Sequence, residues 1–339
     1  MKVTHFNCNI PGSKILISPL DWGLGHATRC IPIIESLLQQ NKKVLVAGDG
    51  PGMNIIQSAF PQLIYLPLQG YNISYSKSAR GFFIKMLFQL PKITKAILRE
   101  KKWLKKTIQQ YQIDTVISDN RLGFCNNKVY SVFITHQLGI KTGSVFFDKL
   151  VQHINYFFIN QFDECWVPDY KEENNLAGEL SHPKKMPDIP TVYIGFLSRF
   201  EKKTTAIQYK WAIVLSGPEP QRTMFEDMIV QQLKSCKDAV LLVRGLPASS
   251  INTFSLPKNI TVYNHLDKED LNECMQQAMG VIARSGYSTV MDLITIQQKA
   301  VLVPTPGQTE QEYLANYLSE KKIFKTISQK DFHLEALFI

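Results

Sequence analysis

Short apolar runs alternate along the chain with segments whose apolar residues recur at helical spacing. The runs lie at 14–18, 43–47, 63–66, 115–118 and 132–135 in the first half and at 212–215, 239–244, 260–266, 281–283 and 300–303 in the second. The segment 27–40 is typical of those between them, with Ile31, Ile34, Leu37 and Leu38 on one helical face. Strands that alternate with helices form parallel sheets through right-handed crossovers. The pattern therefore predicts an α/β protein with parallel sheets.

The length of the chain and a second start of the strand–helix pattern predict two domains. A single core of ordinary size holds fewer than 339 residues. The alternation begins again near residue 212, after a polar and proline-containing stretch at 171–190. We therefore expect an N-terminal domain at 1–200 and a C-terminal domain at 201–325. The apolar tail at 326–339 is expected to form a short terminal helix near the hinge between the domains.

Candidate acid–base residues follow three strands of the first half. Gly23-Leu24-Gly25-His26 comes after the first strand and opens a helix, and a histidine near neutral pKa can accept a proton. Asp119 and His136-Gln137 follow the strands at 115–118 and 132–135. Carboxyl ends of parallel strands carry ligand sites, so we expect these residues at the rim of a cleft. The alternative for each is hydrogen bonding that only holds the loop.

The stretch 281–318 predicts a nucleotide site in the second half. Strand 281–283 is followed by the turn Arg284-Ser285-Gly286, a helix from about Ser288 to Gln297, strand 300–303, the loop 304–308 and a helix from about Glu310 to Ser319. Backbone N–H groups at a helix start suit a phosphate, and the carboxylate of Asp292 can accept hydrogen bonds from a ribose. The structural alternative is that Ser288 or Thr289 caps the helix and Asp292 complements its dipole.

The same stretch carries a resemblance to a known family. Arg-Ser-Gly-x-x-Thr-Val-x-Asp-Leu, a strand that ends in Val-Pro and a Gln/Glu-rich loop resemble the donor site of MurG-like glycosyltransferases, which belong to the GT-B superfamily and carry a family 28 type C-terminal domain. The resemblance is close over 260–318 and thinner elsewhere. Gly25-His26 matches part of the family's first glycine loop, and Gly195-x-x-x-Arg199 resembles its linker. The loop 216–222 keeps one of the family's glycines and adds two prolines, which donate no N–H.

The resemblance implies a GT-B fold, in which two Rossmann-like domains face each other across an interdomain cleft. It implies inverting transfer of a sugar, N-acetylglucosamine or another hexose, from a UDP-sugar to a hydroxyl of a lipid-linked or glycan acceptor in cell-envelope polysaccharide synthesis. His26 is the expected catalytic base, with Asp119 as the second candidate, and Gly23, Gly25, His136 and Gln137 are expected on the acceptor side of the cleft. The expected donor-binding residues are Arg199, Ser216, Gly217, His265, Leu266, Arg284, Ser285, Gly286, Ser288, Thr289, Asp292, Gln308, Gln311 and Glu312.

The resemblance also suggests how the donor residues divide their roles. Arg199, Arg284 and the turn at Ser285-Gly286 are expected to stabilise the leaving diphosphate, as groups that meet charge where it develops. Asp292 is expected to hold the ribose. Gln311 and Glu312, which match a Gln-Gln pair of the family, are expected to contact the donor sugar.

Two other functions stay open on the sequence. A UDP-sugar 2-epimerase would share the fold and the nucleotide site but would need acid–base residues at the donor C2 and no acceptor groove. A non-catalytic UDP-binding or membrane-docked partner subunit would explain why the glycine loops of the first half depart from the family pattern. The net charge of +9 fits an anionic partner, but no nucleic-acid-binding motif accompanies it, so nucleic acid is not expected as a partner.

A membrane surface is the partner predicted for residues 81–106. The apolar block 81–91 precedes a run of Lys and Arg residues, a composition typical of segments that bind anionic lipid. The alternative is a core-facing helix with a solvated basic face, and the family's lipid-linked acceptors favour the first interpretation. No apolar signal-peptide core and no spanning run of about 18 apolar residues occur. We therefore expect a cytoplasmic protein at the inner face of the cytoplasmic membrane.

Neither a metal nor a bound cofactor is predicted. The six cysteines form no Cys-x-x-Cys pair, which speaks against a zinc or redox site and favours free thiols in a reducing compartment. No Asp-x-Asp pair lies on a predicted cleft loop. The expected co-substrate is the UDP-sugar, with arginines and helix ends in place of a metal.

Overall fold

Residues 10–21, 23–71, 79–142, 144–246 and 255–337 are described by a computed structural model, without the side chains of 79–88, 90 and 145. The chain folds into two compact units, and it passes from the N-terminal to the C-terminal unit between Ser198 and Arg199. This boundary lies next to the one predicted at residue 200. Each unit is an α/β structure with a parallel sheet, as the alternating pattern predicted.

The described part of the N-terminal unit contains a seven-stranded parallel sheet with the order β3-β2-β1-β4-β5-β6-β7. Its strands are β1 (Lys14–Pro19), β2 (Lys43–Gly48), β3 (Ile64–Pro67), β4 (Thr115–Asp119), β5 (Tyr130–Ile134), β6 (Glu164–Val167) and β7 (Thr191–Tyr193). Its helices are α1 (Leu24–Gln39), α2 (Pro51–Ala59), α3 (Ala79–Tyr111) and α4 (Val145–Ile159). β1 pairs with both β2 and β4, and the strand order reverses there. Ligands of such sheets bind at this switch point.

The C-terminal unit repeats the design with six parallel strands among its described residues, in the order β10-β9-β8-β11-β12-β13. The strands are β8 (Tyr209–Val214), β9 (Val240–Val243), β10 (Ile260–Tyr263), β11 (Ala278–Ala283), β12 (Ala300–Leu302) and β13 (Lys325–Thr326). The helices are α5 (Gln221–Leu233), α6 (Lys268–Gln276), α7 (Tyr287–Thr295) and α8 (Thr309–Glu320). Here the switch point lies between β8 and β11, which pair with each other.

The C-terminal tail belongs to the core of the C-terminal unit, which corrects the expectation of a terminal helix near the hinge. It forms two short 3-10 turns, Gln329–Asp331 and Leu334–Ala336. Phe332 is buried with its ring centroid 5.3 Å from that of Phe225 on α5. The Gln232 side chain bonds to the backbone of Phe332 and Leu334, at 3.1 and 2.7 Å. A buried aromatic ring and these bonds hold the tail without a further helix.

Helix α3 separates a buried face from a basic face over its described side chains. Ala96, Ile97, Leu104 and Ile108 are buried, and the last two pack with Leu16 and Phe124 in the core. The exposed residues include Lys92, Lys95, Arg99, Lys102, Lys105 and Lys106. The apolar side chains predicted to enter a membrane, at 82–88, lie outside the described residues, so that prediction stays untested. Among the described residues no helix is long and apolar enough to span a bilayer.

Candidate active site

The N-terminal switch point places His26 beside the end of β4. Gly23, at φ 90°, turns the chain from β1 into α1, a left-handed conformation that favours glycine. His26 therefore lies on the first turn of α1, while Asp119 is the last residue of β4. The His26 Nδ1 atom lies 3.1 Å from Asp119 Oδ1. The two residues predicted as rival bases thus form one pair.

Arg29, one helical turn after His26, completes this pair. Its Nε donates to Asp119 Oδ2 at 2.6 Å and its Nη2 donates to Asp119 Oδ1. Nη2 also lies 2.8 Å from His26 Nδ1, and Nη1 lies 3.3 Å from His136 Nδ1. Asp119 is fully buried and Arg29 is 2% exposed, whereas the His26 side chain is 15% exposed. Of these three side chains, only that of His26 is exposed enough for a substrate to contact it.

The electrostatics separate the roles of the two predicted bases. Burial alone would raise the pKa of Asp119, but the opposite charge of Arg29, with help from His26, holds it at about 2. Burial and the Arg29 charge lower the pKa of His26 below its usual value. Asp119 is therefore a buried carboxylate that is ionised at neutral pH, where His26 is a neutral imidazole.

Of the predicted acceptor-side residues, His136 contacts this trio directly, through Arg29. His136 is buried next to Arg29, and the Gln137 carbonyl accepts a hydrogen bond from Asn155 Nδ2 of α4 at 3.4 Å. Gly23 lines a cavity of about 150 Å³ on the α1–α2 side of the switch point, and Gly25 is half-buried on the first turn of α1. The other residues around the cavity are Pro19, Leu20, Asp21, Leu24, Ala27, Asp49, Pro51, Gly52 and Met53.

Arg284, at the C-terminal switch point, is a structural residue, which corrects its prediction as a phosphate ligand. It is 1% exposed. Its Nη1 donates to the carbonyls of Val303 and Pro304, both at 3.2 Å, and its Nη2 donates to the Gln221 carbonyl and to Gln329 Oε1, at 3.1 and 2.8 Å. The guanidinium lies 4.2 Å from the Phe225 ring centroid, and burial lowers its pKa to about 10. Because of these contacts, the guanidinium of Arg284 points into the interior of the C-terminal unit.

The side chains of Ser285 and Gln311 likewise make hydrogen bonds within the C-terminal unit. The Ser285 hydroxyl is fully buried and donates to the Gln311 carbonyl at 2.8 Å. The Gln311 amide accepts from Thr305 N–H at 2.9 Å and donates to Gln308 Oε1 at 2.5 Å. The contact of the Gln311 side chain with the donor sugar stays a prediction, and Ser285 can offer only its backbone. Glu312 is exposed and accepts from Gly307 N–H at 2.8 Å.

The remaining predicted donor residues lie at the carboxyl edge of the C-terminal sheet. Gly286 is the N-cap of α7, and a Cβ added to it would meet nothing within 4 Å. Gly217, at φ 109°, is equally open, and Ser216 beside it is exposed. Both glycine turns leave room for a ligand to approach the backbone closely. His265 is exposed and Leu266 is buried after β10, while Ser288, Thr289 and Asp292 are half-buried on α7.

Arg199 is the cation best placed to meet a ligand at this edge. Its Nε is buried without a hydrogen-bond partner among the described residues, and its guanidinium lies 5.1 Å from the Phe200 ring centroid. Burial lowers its pKa, against the opposing charges of Asp292, Glu269 and Asp267. Burial and the charge of Arg199 together lower the pKa of His265. Arg199, Asp292 and His265 therefore share one electrostatic environment.

Two groups of buried charges that contain arginine were not predicted from the sequence. Arg29 had a signal, because it follows His26 at i+3 on the predicted helix and so shares its face. In the C-terminal unit Glu226 accepts from Arg222 Nη1 at 3.1 Å and from Arg244 Nε at 2.5 Å, and all three are buried. The i,i+4 spacing of Arg222 and Glu226 was visible in the sequence, but Arg244 joins them only through the sheet. Nothing among the described side chains forms a group of His, Cys, Asp or Glu that could hold a metal ion.

Comparisons with known proteins agree with this architecture. Residues 231–338 match the family model of the glycosyltransferase family 28 C-terminal domain. The UDP-N-acetylglucosamine--N-acetylmuramyl-(pentapeptide) pyrophosphoryl-undecaprenol N-acetylglucosamine transferase of Haemophilus ducreyi is 27% identical over 337 residues, which cover 96% of this chain and 87% of that protein. The protein of the same name from Sulfurihydrogenibium sp. is 26% identical over 134 residues, or 38% of this chain and 37% of its own length.

Solved structures of glycosyltransferases share the fold. The kitacinnamycin glycotransferase has a TM-score of 0.66 at 14% identity and covers 94% of this chain and 87% of its own. MurG of Acinetobacter baumannii has a TM-score of 0.54 at 15% identity and covers 96% and 88%. The fold is therefore the GT-B fold, with one Rossmann-like sheet in each unit. Together with the donor-site sequence, these findings show that the chain is similar to MurG-like glycosyltransferases and that residues 231–338 match the family 28 C-terminal domain.

Proposed function

We propose that the protein transfers N-acetylglucosamine or another hexose from a UDP-sugar to a hydroxyl of a lipid-linked acceptor, with inversion at the sugar C1. The observation that carries the proposal is the partly exposed His26, whose ring nitrogen faces the buried carboxylate of Asp119 at 3.1 Å. A carboxylate in this position fixes the orientation of an imidazole and stabilises the imidazolium that forms when it accepts a proton. The names of the relatives support the UDP-sugar and the lipid-linked acceptor.

His26 would act through the nitrogen that faces away from Asp119. Nε2 can accept the proton of the acceptor hydroxyl only when Nδ1 carries the hydrogen and donates it to Asp119, so Arg29 Nη2, a donor 2.8 Å from Nδ1, must turn from Nδ1 to Asp119 alone. The hydroxyl oxygen then bonds to the sugar C1 while the bond from C1 to the diphosphate oxygen breaks, and UDP leaves with that electron pair. Arg29 neutralises Asp119 and keeps it in place, so Asp119 orients the base and takes no proton itself.

The donor would be held by the C-terminal unit, mainly through backbone groups. The open turns at Gly217 and Gly286 offer N–H groups to the diphosphate, the second at the start of α7. Arg199 would meet the charge that develops on the leaving group, because one of its buried donors is unused. Asp292 would accept hydrogen bonds from the ribose, and His265-Leu266 would flank the base. These assignments need no metal ion.

The acceptor would be presented at a membrane surface. The basic face of α3 fits anionic lipid, and the apolar segment 81–91 that precedes it would enter the interface. Peripheral binding of residues 81–106 at the cytoplasmic face of the membrane remains part of this proposal.

The test is turnover of UDP-N-acetylglucosamine with a lipid-linked muramyl acceptor, assayed for the two variants His26→Ala and His333→Ala. Loss of the base should lower turnover about a hundredfold or more and leave UDP affinity by calorimetry nearly unchanged. The exposed His333 serves as the matched control. The same assay in EDTA should run at the same rate if no metal takes part. Full turnover of folded His26→Ala would show that His26 is not the catalytic base. If the wild type does not bind UDP, the proposal that a UDP-sugar is the donor is wrong.

A further inference from the structure

Two buried arginines lie near the open turn at Gly217, which follows β8. Arg222 is on the first turn of α5, and Arg244 is the first residue after β9. Glu226, one turn further along α5, joins them. Its Oε2 accepts from Arg222 Nη1 at 3.1 Å and from Arg244 Nη2 at 3.2 Å, and its Oε1 accepts from Arg244 Nε at 2.5 Å. We call these three side chains the Arg–Glu–Arg cluster.

The cluster ties the glycine turn to α5. Arg222 Nε donates to Glu219 Oε1 at 2.6 Å, and Glu219 Oε2 accepts from the Thr223 N–H at 3.2 Å. The backbone N–H of Arg222 donates to the Pro218 carbonyl at 3.2 Å. Pro218 and Glu219 directly follow Gly217 in the chain. The cluster therefore fixes the downstream side of the turn that is proposed to hold the diphosphate.

The same cluster reaches the loops after β9 and β10. Arg222 Nη1 donates to the Arg244 carbonyl at 3.2 Å, and Arg244 Nη1 donates to Asn264 Oδ1 at 2.8 Å. The Leu246 N–H donates to the Asn264 carbonyl at 2.7 Å. Asn264 directly precedes His265-Leu266, the residues proposed to flank the base. Hydrogen bonds thus connect the diphosphate turn to the base loop through the two arginines.

Gly245 brings the backbone of two of these loops into close contact. It lies at φ 71°, a left-handed conformation that favours glycine. A Cβ added there would lie 2.4 Å from the carbonyl oxygen of Leu215, two residues before Gly217. The loop after β9 is therefore packed against the start of the glycine turn, so the position of one depends on the position of the other.

The donors of both arginines are used within the C-terminal unit. Every guanidinium nitrogen of the two side chains donates a hydrogen bond to a group of this unit. Their two positive charges are balanced by Glu226 and Glu219. A guanidinium offers five donors in a rigid fork, so it can join several acceptors at once. The cluster is suited to holding loops in place, and the open backbone turns are left to meet a phosphate.

We propose that the Arg–Glu–Arg cluster is a positioning device that sets the spacing between the diphosphate turn at Gly217 and the base loop at His265-Leu266. It acts through these loops and not on the reacting atoms. A nucleoside diphosphate spans both loops and gains from a correct spacing, whereas a nucleoside or a diphosphate alone occupies one of them. The inference rests on the proposed function, from which it takes the two subsites of the nucleotide.

The experiment measures the affinities of UDP, uridine and inorganic pyrophosphate for the wild type and for Arg244→Lys. Lysine keeps the charge beside Glu226 but lacks the fork that also reaches Asn264. Binding of UDP should weaken roughly tenfold, and binding of uridine and of pyrophosphate should each change less than about twofold. The matched control is Arg121→Lys, a buried arginine of the N-terminal unit paired with Glu100, which should bind all three ligands like the wild type.

A second variant, Asn264→Ala, keeps the inference testable if melting curves show that Arg244→Lys does not fold. It removes one hydrogen bond of Arg244 and leaves the three charges of the cluster in place. We expect the same pattern with a smaller loss for UDP, because the base loop is then released while the turn stays tied to α5.

The ligands separate this inference from the alternatives and from the proposed function. Unchanged UDP affinity in the folded variants would overturn the inference, because the loops would then keep their spacing without the cluster. A loss of pyrophosphate affinity as large as that of UDP would make Arg244 a phosphate ligand, and an equal loss for uridine would assign Asn264 to the base. Either result would overturn it and leave the UDP-sugar as donor. A wild type that does not bind UDP would contradict the proposed donor and this inference together.

Discussion

The two switch points of this protein have the same topology but use buried arginine in opposite ways. In the N-terminal unit Arg29 bonds to the carboxylate of Asp119, and the pair faces a histidine that reaches solvent. In the C-terminal unit Arg284 bonds to backbone carbonyls and Gln329, and the open groups nearby are glycine turns. One edge thus presents a partly exposed histidine side chain, and the other presents open backbone turns.

The two environments also differ in how the buried charge is compensated. Arg29 has a full opposite charge in Asp119, whose pKa it holds at about 2. Arg284 is bonded to carbonyl and amide dipoles and stacks on the face of Phe225, and burial lowers its pKa to about 10. A charge paired with a carboxylate can tune a neighbouring acid or base, whereas a charge spread over carbonyls mainly joins segments of the chain.

The largest expected effect is on stability, from Asp119→Asn. The change leaves the Arg29 guanidinium buried without its counter-charge, which should lower the free energy of unfolding by about 3–5 kcal/mol. Urea denaturation measures it. The exposed pair Lys210–Asp238 is the control, and Lys210→Met should cost less than about 1 kcal/mol. A stability loss of the control's size in Asp119→Asn would show that the pair is not a structural element of the N-terminal edge.

A pair of arginine variants tests the comparison within the C-terminal unit. Arg284→Gln should lower the free energy of unfolding by about 2–4 kcal/mol, because several buried carbonyls lose their donor. Arg199→Gln should change stability little but weaken UDP binding by about 1–3 kcal/mol, the scale of a charged hydrogen bond. Denaturation and calorimetry on both variants give the answer. The reverse pattern, with Arg284 controlling affinity, would restore it as a phosphate ligand.

Asp292→Ala should weaken UDP binding by about 1–3 kcal/mol, since a carboxylate that accepts from ribose hydroxyls is lost. The fold should survive, because Asp292 is only half-buried on α7. Calorimetry with UDP and with free diphosphate separates the ribose from the phosphates, and only UDP should lose affinity. Equal affinity for UDP in the variant and the wild type would remove the ribose assignment.

The smallest expected effect is a pH dependence of stability from His26. Its pKa is lowered in the folded state by burial and by Arg29, so below about pH 6.5 the unfolded chain binds a proton that the folded protein does not. Stability should therefore fall as the pH drops from neutral through this value toward about pH 5. Denaturant titrations of His26→Gln should show a shallower fall, with the exposed His333→Gln as control. Identical slopes in all three proteins would mean that His26 is not held neutral.

The comparison also shows where sequence reasoning reached its limit at the sites. Glycine turns after strands could be predicted at both edges, because positive φ and open backbone are properties of a few adjacent residues. The structural role of Arg284 could not be predicted, since it depends on Pro304 and Gln221, which other loops bring to it. A residue in a recognisable motif can stabilise the loop through hydrogen bonds instead of binding the substrate.

The sequence by itself determined the two α/β units and most of their strands, because apolar runs and helical spacing are local and repeat along the chain. It also placed His26, Asp119 and the glycine turns at strand ends. Only the tertiary structure decided that His26 and Asp119 are one pair rather than rivals, since residues 93 positions apart meet at the carboxyl ends of the paired strands β1 and β4. It likewise decided that Arg244 joins Arg222 and Glu226, because contact between distant residues depends on which neighbours the sheet order supplies.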